Sequence, residues 1–389
     1  MGRRPPLRLP RRRAAPPPGG ARGAVAHGAA AREGERRGPG RGAGEGGGGP
    51  HPERLRGPPR RPRPHRPLRA APGAGAPVAR DPAEVVQALR AEARTLGIAR
   101  LGVAAAVPRH RDHLERWLRL GRHGTMGYMA REPAVRADPR RLLPGARAVL
   151  CCAVHHDPAP ERPAGPERVA IARYARGPDY HRVVHRLLRR LAATLDRLAP
   201  GHRHRVCVDT APLLERAHAA AAGIGWIGKS TCLVHPRAGS YFLLGELLTT
   251  CPLPPDPPMA DHCGTCTRCL DACPTGALVA PYELDARRCI SYWTIEHRGP
   301  LPPEARLAGW AFGCDLCQEA CPFNRFAPPG HPVLAPRPEL VAPRLAELAA
   351  ATAASFKGRF KGTPVVRAGK RQMLRNLAAC AAEGGRNRG

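Results

Sequence analysis

Cys263, Cys266, Cys269 and Cys273, with Pro274 behind them, occupy the stretch CGTCTRCLDACP. Further on, Cys314, Cys317 and Cys321, with Pro322, repeat the pattern in CDLCQEACP, and Cys289 stands between the two runs. Cysteines spaced by two residues on a tight turn can aim three thiolates at three corners of one iron–sulfur cubane. A fourth cysteine, three residues on at the start of a helix, points toward a neighbouring cluster, as the C-x2-C-x2-C-x3-C-P spacing requires. Cys289 stands in for the cysteine that the second run lacks, so the ligand sets interleave. Cys263, Cys266, Cys269 and Cys321 are expected on one 4Fe–4S cluster, and Cys273, Cys289, Cys314 and Cys317 on the other. Such a pair moves electrons one at a time. Structural zinc is the competing reading of paired C-x2-C motifs, but zinc needs only four ligands and has no use for the trailing prolines.

The spacing is that of bacterial two-cluster ferredoxins. The six remaining cysteines, Cys151, Cys152, Cys207, Cys232, Cys251 and Cys380, lie in apolar settings and read as ordinary buried thiols. Disulfides are not expected, because no secretory signal is visible. Arg11, Arg12 and Arg13 lack the apolar stretch that a twin-arginine signal carries behind it. No run is long enough to span a membrane. The expected location is the cytoplasm.

The elements that must position this chemistry lie upstream. Asp81-Pro82 reads as a helix cap followed by a first-turn proline, and the helix ends near Gly97. Strands are expected over Ile98–Val107, Ala146–His155, Val206–Val208 and Tyr241–Leu248, with helices over His113–Leu120 and Tyr180–Leu198. Alternation of this kind predicts an α/β (α+β) domain around a mixed sheet over residues 81–255. A ferredoxin-like two-cluster domain over 256–330 comes next, then a short helical basic region over 331–389, with helices near Leu340–Leu348 and Arg371–Ala382. Residues 1–80 are Arg, Pro, Gly and Ala with hardly a large apolar side chain, and read as a disordered extension.

Asp209 follows the short strand at Val206–Val208 and opens DTAPLLERAHAAAAGIGWIGKSTCLV. A carboxylate at a strand end points into the crevice where α/β proteins bind ligands. It can donate a proton if burial raises its pKa, although a helix cap is the other reading of an Asp three residues before a Pro. Gly223, Gly225 and Gly228 do not have Walker A spacing and are expected to let backbone approach a large flat ligand. His113, His181 and His185 lie in arginine-rich helices and read as solvated.

DTAPLLERAHAAAAGIGWIGKSTCLV, SYFLLGELL, CGTCTRCLDACPTGALVAPYELDARRCISYWTIEH and FGCDLCQEACPFNR together resemble the epoxyqueuosine reductase family. The likeness runs in order from about residue 81 to about residue 385 and includes GTMGYMARE, ARYARGPDYH and RQMLRNLAA. It implies a cobalamin-dependent enzyme with two 4Fe–4S clusters, which reduces epoxyqueuosine to queuosine at the wobble position of a tRNA anticodon. Carried over by motif, Asp209 is the acid that protonates the departing epoxide oxygen. Ala172, Arg173, Asp209, Ser230, Leu233, Leu244 and Ser291 face the cobalamin. Glu296 and Arg298 contact the tRNA. An Asp-x-His-x-x-Gly signature is lacking, which fits base-off cobalamin with no protein ligand to cobalt. The implied partners are a tRNA anticodon loop and an external donor such as a flavodoxin or ferredoxin system, with the protein a monomer and no membrane involved. Many members carry helical repeats after the cluster region, and this sequence ends soon after Gly384-Gly385.

The formal charge of +32 suits a nucleic-acid substrate. Residues 1–80 carry +15 of it, which leaves +17 on the other 309 residues. Tyr292 and Trp293, beside Cys289, are expected to supply the stacking that single-stranded loops need. Two rivals remain at this level: a cobalamin- and cluster-dependent reductive dehalogenase, and a plain two-cluster electron carrier.

Overall fold

The computed structural model describes residues 80–157, 165 and 167–386. The chain divides into two units, Met1–Pro62 and Arg63–Gly389, and every described residue belongs to the second. The extension read as disordered lies outside the described residues, Arg80 apart.

Asp81 caps α1 (Pro82–Thr95) by accepting the Ala83 N–H, and Pro82 opens the helix. Then come β1 (Arg100–Ala105), α2 (Arg111–Arg119), the single turns α3 (Gly127–Ala130) and α4 (Pro133–Ala137), and β2 (Ala148–His155). β3 (Ala170–Ile171) leads into α5 (Tyr180–Leu198), β4 (His204–Cys207) and α6 (Glu215–Ala221). The hairpin of β5 (Trp226–Ile227) with β6 (Leu233–Val234) precedes β7 (Phe242–Thr249).

The main sheet has the order β1-β2-β7-β4, and every neighbouring pair in it is antiparallel. The parallel pairing of the expected mixed sheet is found elsewhere, between β3 and β10 (Trp310–Phe312). Apolar periodicity marks a strand but carries no sign of its direction. β2 is buried along its whole length. Its Leu150, Cys152 and Val154 face a core shared with α1 and α5, while Val149, Cys151 and Ala153 face α6. This two-sided burial explains why β2 reads as an unbroken apolar run.

The second half contains α7 (Arg268–Asp271), β8 (Leu278–Ala280), β9 (Glu283–Leu284), a π-helical turn (Tyr292–Glu296), β10 and α8 (Leu316–Glu319). The helix expected over Leu340–Leu348 is two pieces, α9 (Pro338–Val341) and α10 (Leu345–Ala349), broken where Pro343 cannot continue a helix. α11 (Ala353–Phe360) and α12 (Gly369–Arg386) complete the chain's described elements. One core joins β3, Ile290, Trp310, Phe312, Phe360 and Leu377, so the C-terminal helices pack on the cysteine-bearing region. Among the described residues no helix is long and apolar enough to cross a membrane.

Candidate functional site

The eight cysteines fall into two groups of electrostatic neighbours. Cys269 stands within electrostatic reach of Cys321 and Cys263, and Cys321 within reach of Cys263 and Cys266. Cys314 is near Cys289 and Cys273, and Cys317 is near Cys314 and Cys289. N–H groups already point at two of the sulfurs. The Trp226 indole donates to Cys263 Sγ at 3.4 Å and the Ala277 amide to Cys273 Sγ at 3.3 Å. Such donors stabilise the negative charge of cluster thiolates, so the residues present fit two cubanes. Cys232 departs from expectation. It is no isolated buried thiol but lies against Cys317, whose hydrogen bond pulls its thiol pKa down.

The glycines after α6 serve a different purpose from the one expected. A Cβ at Gly225 would sit 2.2 Å from the Val234 carbonyl oxygen, and one at Gly223 would sit 2.6 Å from that of Pro257. Gly223 and Gly225 admit the chain's own backbone, while a Cβ at Gly228 would meet the Val234 and Cys263 side chains at 3.0 and 3.4 Å. Lys229, next to Gly228, donates to the carbonyls of Gly264 and Cys266 at 2.6 and 3.1 Å and so ties this loop to the first cysteine run.

Among the positions expected to face cobalamin, Leu233 and Leu244 line an open cleft of about 130 Å³, together with Cys232, Phe242, Ser240, Gln318 and Arg216. Ser230 is buried at its margin and accepts the Cys232 N–H at 3.4 Å. Ala172 is fully buried after β3. Ser291 is half-buried at the head of the π-helical turn.

Arg173 is engaged with protein. Its guanidinium reaches Asp315 Oδ2 at 3.2 Å and Glu319 Oε1 at 2.6 Å, and its amide donates to Asp315 at 2.8 Å. Burial raises the Asp315 carboxyl above the usual carboxylate range, against the pull of the Arg173 charge and of the Arg173 amide. The guanidinium stays charged in any case, and we read the contact as an ion pair. It docks the helix carrying Cys317 onto the α/β half.

Asp209 sits just past β4 on a left-handed turn with φ of 51°. It caps no helix: Leu214 precedes α6, and the Asp209 amide donates to Glu215 Oε1 at 2.5 Å. Its Oδ2 lies 2.7 Å from His181 Nε2, and His181 Nδ1 lies 2.6 Å from Asp179 Oδ1. Arg367 stands 3.6 Å from Asp179. Burial alone would raise Asp209, but the hydrogen bond and charge of His181, with Arg367, hold it below the usual carboxylate range. Burial alone would lower His181, yet its two carboxylate partners raise it. The shift is therefore opposite to the one expected for Asp209, and the proton rests on the imidazole of a His read from sequence as solvated.

Glu296 joins this group. Burial raises its carboxyl, and both Asp209 and the Tyr128 hydroxyl act on it. Tyr128 is 38% exposed, with the Arg136 guanidinium 5.7 Å from its ring centroid. Tyr292 and Trp293, the expected stacking partners, are instead buried. The Tyr292 hydroxyl accepts the Thr125 amide at 2.8 Å and so fixes the GTMGYM segment. Arg298 turns toward α12, donating to the Ala368 carbonyl at 3.0 Å and to Gln372. His181, Tyr128, Glu215 and Arg367 were missed as site residues. The resembling motifs DYH, GYMARE and DTAPLLER contain the first three, while nothing local marks Arg367.

Comparison with known proteins agrees with this geometry. The family described as "4Fe-4S double cluster binding domain" matches residues 262–324, and that described as "Epoxyqueuosine reductase QueG" matches residues 136–210. The epoxyqueuosine reductase of Pseudomonas aeruginosa is 45% identical over 307 residues, covering 77% of this chain and 85% of the relative. A solved epoxyqueuosine reductase with a tRNA-Tyr epoxyqueuosine-modified stem loop superposes with a TM-score of 0.73 at 34% identity, covering 77% of this chain and 82% of that one. The Bacillus subtilis enzyme, solved with its catalytic aspartate loop swung out of the active site, gives a TM-score of 0.72 at 33% identity over the same shares. With its double-cluster region and its α/β half both matched, this chain belongs to the epoxyqueuosine reductase family.

Proposed function

We propose that the chain reduces epoxyqueuosine to queuosine at the wobble position of a tRNA anticodon, with Asp209 as the acid. The observation that carries this reading is the Asp179–His181–Asp209 array at the sheet edge, with Glu296 beside it. Removing the epoxide oxygen to leave an alkene consumes two electrons and two protons and releases water. Hydroxide is a poor leaving group, so a proton delivered to the oxygen as its bond breaks lowers the barrier. His181 Nε2, 2.7 Å from the Asp209 carboxylate, can hand it a proton, which Asp209 then delivers to the departing oxygen. Asp179 keeps the imidazole oriented through its other nitrogen.

Base-off cobalamin, when bound, supplies reducing power that no side chain has. Ala172, Arg173, Ser230, Leu233, Leu244, Ser291 and Asp209 are the positions proposed to hold it. The cleft beside Leu233 and Leu244 and the packing of Cys232 against Cys317 support an electron path from the clusters to that edge. The cluster ligands are proposed as Cys263, Cys266, Cys269 and Cys321 for one and Cys273, Cys289, Cys314 and Cys317 for the other. An external flavodoxin or ferredoxin system feeds them, and the enzyme works as a cytoplasmic monomer. Glu296 is a tRNA-facing residue in this reading, and Arg298 acts through its hold on α12.

The test is Asp209→Asn, reconstituted anaerobically with iron, sulfide and cobalamin and assayed by nucleoside analysis of an epoxyqueuosine-containing stem loop. Clusters and bound cobalamin are expected to persist while turnover is lost. Wild-type turnover would remove Asp209 from the mechanism.

A further inference from the structure

Behind Asp209 stand two carboxyls that this mechanism does not use. Glu246 lies in β7, directly opposite Cys151 of β2 and Cys207 of β4, and is fully buried. Both its oxygens lack a partner at ordinary hydrogen-bond geometry, which calls for an explanation in a buried acid. After burial, what bears on it most strongly is the charge of the Glu215 carboxyl. Glu215 opens α6 and is half-buried. Its Oε1 accepts the Asp209 N–H at 2.5 Å. Three carboxyls thus run from the sheet interior to the surface, and the middle one grips the backbone of the outermost.

We propose that Glu215 is the positioning residue that aims Asp209: as a carboxylate it clasps the Asp209 amide, with protonated Glu246 as its backstop, and on taking up a proton it releases the turn. This rests on the reading of Asp209 as the acid. The turn needs such a clasp because Asp209 holds a left-handed backbone that a non-glycine residue adopts at a cost. Burial and the Glu215 charge raise Glu246 well above the usual carboxylate range, so as a neutral acid it has an O–H to offer the Glu215 carboxylate. Burial and the Asp209 charge push Glu215 up to about 7, within the working range of a cell. A relative has been solved with its catalytic aspartate loop swung out, so the motion is available to this fold.

The groups around the pair are few. Arg216 neighbours Glu215 on α6, and Asp209 faces it from the turn. Cys151 and Cys152 of β2 and Cys207 of β4 flank Glu246. Tyr180 and His181 approach from α5. Of these, Asp209 stays ionised, Arg216 stays charged, and burial raises the thiols and the Tyr180 hydroxyl. His218, one turn along α6 from Glu215, is pushed down to about 4 by burial and so stays neutral in this range; His181 holds the Asp209 side chain rather than its amide.

The test is hydrogen–deuterium exchange of the 208–214 segment in the full chain from about pH 5.5 to about pH 8.5, corrected for intrinsic exchange. Protection of the Asp209 amide is expected to rise about tenfold as pH climbs through the Glu215 transition, the worth of one charge-assisted hydrogen bond. Glu215→Gln should flatten that rise and lower kcat with KM for the stem loop unchanged, whereas Glu246→Gln, which still donates, should keep it. The rise should survive His181→Gln. A flat wild-type profile, a wild-type rise in Glu215→Gln, or loss of the rise in His181→Gln would each overturn the clasp. Turnover of Asp209→Asn decides separately whether Asp209 is the acid, because the exchange measurement needs no activity.

Discussion

The two chemical centres of this protein are built by opposite means. Seven of the eight thiolates come from two short runs whose cysteines are separated by two or three residues, and Cys289 stands between those runs. The acid centre is assembled from afar: Asp179 and His181 head α5, Asp209 follows β4, Glu296 ends the π-helical turn, and Arg367 precedes α12. A site made of local turns survives some loosening of the fold. One made of five residues from four distant segments depends on every layer that brings them together. Electron delivery is thereby local in origin, and proton delivery is a property of the whole fold.

The sharpest way to break this contrast is at its most distant junction. Asp209→Asn should lower turnover by about 10² to 10⁴, the range for losing a positioned acid, with the visible spectrum of clusters and corrin unchanged. On the local side, Cys289→Ala should lose about half the iron, since one of two cubanes loses a ligand. Full iron content by colorimetric assay would sink the proposed ligand set. Arg173→Met removes one partner of an ion pair whose side chains are 4% and 2% exposed. That should cost about 3–5 kcal/mol in denaturant unfolding, and a loss below about 1 kcal/mol would show that the two halves are held by apolar packing alone.

A pH experiment sharpens the acid centre. His181 is raised, so its contribution is present below the ordinary histidine value of about 6.5 and is lost as pH climbs through its higher folded value. Asp209 is lowered, so its contribution is present above about 3.9 and is lost as pH falls through its lower folded value. The difference in Tm between wild type and His181→Gln should therefore be largest between those limits and shrink on both sides. The smallest effect is expected from Arg298→Ala. It should cost about 1 kcal/mol of stability through its lost bonds to α12 and leave the salt dependence of stem-loop binding unchanged, whereas a phosphate contact would lower that slope by about 1.

How much of this could be read in the sequence obeys the same division. Cysteine spacing is a local code, and α5 begins and ends where its periodicity places it. The Asp81-Pro82 cap was likewise legible. Strand direction was not, because alternation looks alike in parallel and antiparallel pairs. His181 looked solvated because its neighbours on the helix are arginines, and only the fold brings Asp209 to its free nitrogen. Glycines signalled close approach correctly, but what approaches is the backbone of Val234 and Pro257. The two buried aromatics after Cys289 show the same limit: an apolar ring beside a ligand can serve a core or a base, and here it serves the core.

The C-terminal helix has a consequence for the order of assembly. Asn376 is fully buried and donates to the carbonyls of Thr294 and Ala311 at 3.0 and 2.8 Å, while Gln372 donates to those of Thr294 and Ile295, each at 2.9 Å. These bonds brace the π-helical turn behind Cys289 and the strand that leads to Cys314. During synthesis the α/β half leaves the ribosome first and can fold as a unit. The seat of the second cubane cannot close until residue 376 has emerged. Metal loading is thereby expected to follow synthesis of that helix, and a nascent chain stalled earlier would present cysteines without the scaffold that protects a cluster.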